Sequence, residues 1–402
     1  MSVVFSRPYQ FVPPDEGNLW PFLIQRLRVV DWHLKRKEGV VAYECRGMDH
    51  VRVSLEAGDG ILLAPNHCRY ADPLVMGWPA RLLGTHVFAM ASWHLFNEGW
   101  FDAFAIRKLG GFSIYREGTD RQSLQTAIDI LANATRPLIL FPEGSTNRLN
   151  DFLMPLLEGV TFIARSAARR RAKQAGGRVV IHPVAIKYLC ETDIDPWATR
   201  QLDNLEQRIG WHPRGDQSIL NRTVRLAEAL LSLKEIAYLG RSQAGNLPQR
   251  RDALIEHLLA TTERHLGIDG DEPLVRERVR QIRTVVSTRF FDPATSTSEQ
   301  QDLRRDVAAA MLAQELLTYR ESYLRPDTVT DTRIVETIQR MQESFLGKAD
   351  NSIPLKAVIE FDQAIEVPAE KAPRGQADPI LQQLADRLTA MLDQLSTEAR
   401  PL

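Results

Sequence analysis

The stretch Ile-Leu-Leu-Ala-Pro-Asn-His-Cys-Arg-Tyr-Ala-Asp-Pro at positions 61–73 restricts this chain most. Residues 61–64 are a short apolar run, the pattern of a buried strand. The run stops at Pro65-Asn66-His67, and Asp72-Pro73 opens a segment over 73–83 with helical apolar spacing. Asp is a favoured N-cap and Pro a favoured first helical residue, so the helix start is marked. His67 and Asp72 thus stand at the two ends of a strand-to-helix loop. A neutral imidazole accepts a proton near pH 7 when a carboxylate fixes its tautomer. One reading makes His67 a general base and Asp72 its orienting partner. The other makes His67 a loop histidine and Asp72 only a cap, and the stretch itself leaves both open.

The pattern repeats over residues 40–191. Strands are expected at 51–55, 61–64, 87–91, 112–115, 137–141 and 178–188, and helices at 73–83, 96–109, from 120 onward and at 156–173. Arg169-Arg170-Arg171 and Lys173 suit the negative end of that last helix, which Gly176-Gly177 stops. Alternating strands and helices predict an α/β fold, a mostly parallel central sheet flanked by helices. In such sheets ligands sit beyond the carboxyl ends of the strands. Asn66-His67, Arg116 and Pro142-Glu143-Gly144 each follow an apolar run. If those strands are parallel neighbours, the three clusters share one crevice.

Residues 192–352 change character to a large all-helical insertion, with helices expected at 220–239, 250–266, 273–287, 299–324 and 333–345 and no convincing internal repeat. Strand patterning returns at 355–361 and 365–367, followed by a helix opened by Asp378-Pro379. One strand and one helix cannot bury their own apolar faces, so residues 353–402 are expected to complete the first sheet. Residues 1–39 form an arm (1–18) and an amphipathic helix over 19–37. Its apolar face and its cations Arg26, Arg28, Lys35, Arg36 and Lys37 suit either a membrane interface or the protein's own core.

With 50 basic and 51 acidic residues the net charge is −1, which argues against a molecule built for nucleic acid. Three scattered cysteines fit a reducing compartment. No His/Cys cluster has metal spacing, so no metal site is expected. Neither a secretory leader nor a spanning segment is expected.

Four segments then acquire meaning together. Asn66-His67-Cys68-Arg69-Tyr70-Ala71-Asp72 resembles the NHxxxxD motif of the glycerolipid acyltransferases. Gly110 to Arg116 resembles the family's GxxxIxR motif, Phe141-Pro142-Glu143-Gly144-Ser145 its FPEG motif, and Val180 to Ile186 its proline-centred strand. HxxxxD alone is weak, but four motifs in order and spacing are strong. The resemblance covers residues 40–188 and the closing strand and helix, not the insertion.

The resemblance, strongest to 1-acylglycerol-3-phosphate acyltransferases, implies O-acyl transfer from acyl-coenzyme A or acyl-acyl carrier protein to a lysophospholipid hydroxyl, with no bound cofactor. Glycerol 3-phosphate, another lysolipid or an amino-lipid is the alternative acceptor, and a non-catalytic lipid-binding protein the alternative class. His67 would take the hydroxyl proton and Asp72 would hold its cation. Arg116 would hold the acceptor's phosphate, and Asn66, Glu143, Gly144, Ser145 and Arg148 would contribute to substrate binding, with Glu143 either contacting acceptor hydroxyls or holding its loop. Backbone N–H groups around Gly144 are candidates for the oxyanion. Many members carry Arg three residues after the motif's Glu; here that residue is Thr146, with Arg148 nearest. An acyl-cysteine route through Cys68 is disfavoured, because adjacent side chains on an extended segment point apart. Amphiphilic substrates imply work at a membrane surface, with peripheral attachment at the inner, cytoplasmic face through residues 19–37. The basic cluster over 165–178 suits either anionic lipid or a solvated helix end.

Overall fold

The computed structural model describes residues 5, 7–174, 177–270, 272–370 and 377–402. Residues 1–4 and 6 of the expected arm, and Gly176 of the expected helix stop, lie outside them. Eight strands build one sheet: β1 (Val40–Arg46), β2 (Gly60–Pro65), β3 (Phe88–Ser92), β4 (Gly111–Ile114), β5 (Leu138–Ile139), β6 (Val179–Cys190), β7 (Leu355–Phe361) and β8 (Ile365–Glu366). The order is β1-β7-β6-β2-β5-β3-β4, with β8 on β6. All pairings are parallel except those of β6 with β7 and β8. The expected α/β class is therefore observed: a mostly parallel sheet, helices on both faces and a long helical segment between β6 and β7.

Continuous burial explains why the central strands read clearly. Every residue of β2 is buried, and so are the first ten of β6. A strand covered on both faces needs no polar alternation. One face packs under the helices Arg121–Asn133, Gly159–Gln174 and Pro379–Ser396, through Ala127, Leu131, Ile163 and Leu384. The other packs under Met48–Glu56, Asp195–Arg208 and Asp331–Leu346, through Val51, Leu202 and Ile338. Each fully buried aliphatic side chain here contributes roughly 1.5–3 kcal/mol relative to exposure.

Three local expectations are corrected. Residues 51–55 are helical, within Met48–Glu56. Val51 and Leu55 satisfy the i, i+4 spacing as well as strand alternation, and Val53 is 63 % exposed. The segment 73–83 is two helices, Asp72–Val75 and Gly77–Leu82, broken at Met76. Residues 19–37 also break: Leu19–Arg26 ends before Arg28, whose positive φ of 52° turns the chain into Val29–His33 and a π turn. The helix Asp195–Arg208 was not foreseen from the sequence.

The insertion has its own core, including Leu254, Leu258, Ile282 and Leu303. It also contains a repeat that apolar spacing does not reveal. Arg222, Arg250 and Arg278 recur at intervals of 28 residues. Each is buried and forks onto a buried glutamate of the preceding helix: Arg222 onto Glu206, Arg250 onto Glu235, Arg278 onto Glu263. Paired parallel N–H···O bonds make these clasps directional as well as charged.

Candidate functional site

β2, β5, β3 and β4 are consecutive parallel neighbours, so their carboxyl ends open on the same edge of the sheet. The loop after β2 carries His67, that after β4 carries Arg116 and that after β5 carries Glu143.

His67 Nδ1 lies 2.8 Å from Asp72 Oδ2. Asp72 is fully buried and accepts two further bonds, from Arg69 N–H at 2.8 Å and from the Tyr188 hydroxyl at 2.7 Å. Burial and the Asp72 charge hold the Tyr188 phenol well above its ordinary pKa, so Tyr188 is the donor. A carboxylate surrounded by donors is an ionised acceptor, which assigns the proton of neutral His67 to Nδ1 and leaves Nε2 with a lone pair. That lone pair faces the Thr146 hydroxyl at 3.1 Å. The imidazole stacks on Phe141 with centroids 4.1 Å apart, which fixes its plane.

Glu143 is buried beneath the loop. It accepts His67 N–H at 2.6 Å, Asn147 Nδ2 at 2.7 Å and Met154 N–H at 2.8 Å. Burial pushes its carboxyl up to about 8, against the pull of the two backbone N–H groups. Glu143 therefore ties the His67 loop to its own loop, which is the holding role of the two expected for it. Asn66 is likewise a strut. Its amide gives 3.0 Å to Ile186 C=O and accepts 2.6 Å from Ile186 N–H. Asn150 does the same with Tyr188, at 2.6 and 2.8 Å. The two side chains continue the ladder along β6 beyond the end of β2, satisfying backbone groups that a strand would otherwise pair.

Gly144 has φ +70°, and a Cβ there would press into Leu157. Its N–H closes a turn onto Phe141 C=O at 3.1 Å, so this amide is used locally. Arg148, expected at substrate, forks onto Glu343 at 2.8 and 2.6 Å. It too has positive φ, 51°, an uncommon conformation for a side-chain-bearing residue. Cys68 is fully buried, and burial with the Asp72 charge pushes its thiol well above the ordinary range, which leaves no thiolate for an acyl-cysteine route.

A cavity of about 780 Å³ opens over this machinery. Ser145, Thr146, Arg148 and Arg116 line it from the sheet half; Lys234, Arg283, Arg304 and Glu315 line it from the insertion. The two sources meet on one loop. Arg276 donates to the carbonyl of Glu143 and, at 2.5 Å, to that of Pro155, while Glu336 accepts Asn150 N–H at 3.2 Å and Arg333 pairs with Asp151 at 2.7 Å. The structure thus brings His67, Asp72, Glu143 and Thr146 into direct contact, and places Arg116, Ser145 and Arg148 on the same cavity wall.

The model of the Acyltransferase family matches residues 43–187, from within β1 to within β6. Residues 43–187 are an acyltransferase-family domain. No curated protein matches the chain. The match supports acyl transfer as the chemistry of the acyltransferase domain, and it ends before the helical insertion begins. The contacts of Tyr188 with Asp72 and of Thr146 with His67 escaped the reading of the sequence. A lone polar aromatic closing an apolar strand is the only sequence trace of the first, and the missing arginine the only trace of the second.

Proposed function

We propose that this protein is an HxxxxD-type O-acyltransferase, moving a fatty acyl group from an acyl thioester to the free hydroxyl of a lysophospholipid, foremost 1-acylglycerol-3-phosphate. The observation that carries the reading is the Asp72–His67–Thr146 line, with Nε2 presented beside the cavity that Arg116 also lines. The acceptor hydroxyl takes the place next to Nε2 that the Thr146 hydroxyl marks. Nε2 removes its proton as the oxygen attacks the thioester carbonyl. The imidazolium is held by ionised Asp72. Collapse of the tetrahedral intermediate breaks the C–S bond, and the leaving thiolate receives the proton from His67. The products are the ester and the free thiol of coenzyme A or acyl carrier protein. General-base help of this kind is worth roughly 10²–10⁴ in rate. N–H groups of Ser145 and Thr146 are the donors proposed for the oxyanion, and Arg116 suits the acceptor's phosphate through its planar fork.

Attachment to the inner face of a membrane belongs to the same reading. Leu19, Trp20, Phe22 and Trp32 are exposed beside Arg26, Arg28 and Arg36. Trp100 and Phe101 add exposed aromatic surface on a helix that Trp20 joins through Phe104. Apolar side chains flanked by cations suit anionic lipid. Among the described residues no helix is long and apolar enough to cross a bilayer.

The test is a panel of lysolipids, glycerol 3-phosphate and amino-lipid acceptors, each with acyl-coenzyme A and acyl-acyl carrier protein, with products identified by mass. A new ester with lysophosphatidate, lost in His67→Ala, is the expected result. Thioester consumption that persists unchanged in His67→Ala overturns the assignment of the base.

A further inference from the structure

The helix Val275–Phe290 sends two arginines out of the insertion into the acyltransferase domain. Arg276 grips the carbonyl of Glu143. Arg283 pairs with Glu117, the residue after Arg116. Arg283 is 9 % exposed, lines the same cavity as Arg116 and Thr146, and its Nε has no hydrogen-bond partner among the described residues. A buried guanidinium with an unused donor, lining the same cavity as a second guanidinium whose charge it feels, is an arrangement that an anion stabilises. The neighbours register this field. Burial and then Arg283 bring Arg116 down to about 10, and burial with Arg116 and Arg283 brings the His94 imidazole down to about 3. Lys234 and Arg304 add positive charge from two other helices of the insertion.

We propose that Arg283 is a second phosphate ligand, supplied by the insertion, which acts with Arg116 to select acceptors bearing a phosphomonoester over zwitterionic or uncharged ones. This rests on the acyl-transfer reading of the site and adds a specificity residue to it. Glu117 holds one terminal nitrogen of Arg283, so the guanidinium is fixed before the ligand arrives. A phosphomonoester at neutral pH carries ~1.5–2 negative charges and three acceptor oxygens, enough to take donors from two forks. A phosphodiester headgroup carries one charge and cannot answer both equally.

The experiment uses the full chain and two readouts. Calorimetry measures binding of glycerol 3-phosphate and of inorganic phosphate. Steady-state kinetics compares lysophosphatidate with a lysophospholipid whose headgroup is zwitterionic. Arg283→Gln is expected to weaken glycerol 3-phosphate binding and raise the KM for lysophosphatidate by roughly ten- to a hundredfold, the range for a lost bond to a charged group. The kcat changes far less, preference over the zwitterionic acceptor falls by the same factor, and Arg283→Lys recovers part of it. The paired variant Glu117→Gln/Arg283→Gln keeps the measurement valid if the single change unfolds the protein. Unchanged phosphate binding, or equal loss on both acceptors, overturns the proposal. If the unaltered protein acylates no acceptor yet loses glycerol 3-phosphate binding on Arg283→Gln, the acyl-transfer reading fails and the anion site stands. Acylation that proceeds with binding indifferent to Arg283 removes the anion site and leaves acyl transfer standing.

Discussion

The sheet half and the helical insertion both bury charge, and they do it differently. Beyond the ends of β2 and β5 two buried carboxylates each serve several partners: Asp72 holds His67, Arg69 and Tyr188, and Glu143 holds His67, Asn147 and Met154. In the insertion the unit is a buried arginine forked onto one buried glutamate, repeated between successive helices at Arg222, Arg250 and Arg278, with each arginine also reaching a more exposed acidic side chain, Asp203, Glu228 or Glu256. A shared network fixes a few atoms tightly; a repeated clasp fixes how one helix lies on the next. The third clasp sits on the helix that delivers Arg276 and Arg283 to the site, so the second kind of order supports the first.

This contrast makes predictions of decreasing size. Asp72→Asn removes the ionised acceptor that assigns the His67 proton, and turnover should fall roughly 10²–10⁴-fold in a steady-state assay. Loss of less than tenfold would mean that the network is structural only. Arg250→Met leaves Glu235 buried without its fork and should cost about 3–5 kcal/mol in denaturant unfolding, while Arg250→Met with Glu235→Leu should regain most of it. Equal loss in both variants would break the distinction between network and clasp, by showing that the clasp contributes net stability. His94, held neutral by burial and by Arg116 and Arg283, must take up its proton against that field on acidification. Its share of stability is complete above its unfolded value near 6.5 and declines as pH falls toward about 3. Thermal melts from pH 7 to 4 should therefore slope less in His94→Gln, and an unaltered slope would deny the field. Asn246→Ala removes a side-chain cap on Gln249 N–H and should cost about 1 kcal/mol, with no effect on acyl transfer.

How far the sequence could be read follows the same division. β2 and β6 were visible because burial on both faces writes an unbroken apolar run. Residues 51–55 misled because three alternating apolar residues fit one turn of helix as well as a strand, and only tertiary packing chose between them. The long helices of the insertion showed through their apolar spacing. The clasps did not, since arginine and glutamate are frequent there and one pair in 28 residues leaves no visible pattern. At the site, the close spacing of His67 and Asp72 exposed their relation. The role of Asn66 was hidden, and the two roles open to Glu143 could not be told apart, because their partners Ile186 and His67 lie 120 and 76 positions away and only the fold aligns them.

Among the described strands, β1 has a single neighbour, β7, and β7 stands between it and β6. Gly39, at positive φ, leads into β1 at the point where the carbonyls of Asn351 and Ile353 pass too close for any Cβ. On a ribosome, then, β1 must wait through more than three hundred residues of synthesis before its neighbour β7 exists to pair with it. Once β6 has been made it too offers a bare flank until β7 arrives, and the nascent chain's need for a chaperone should peak there and end abruptly when residue 361 clears the tunnel.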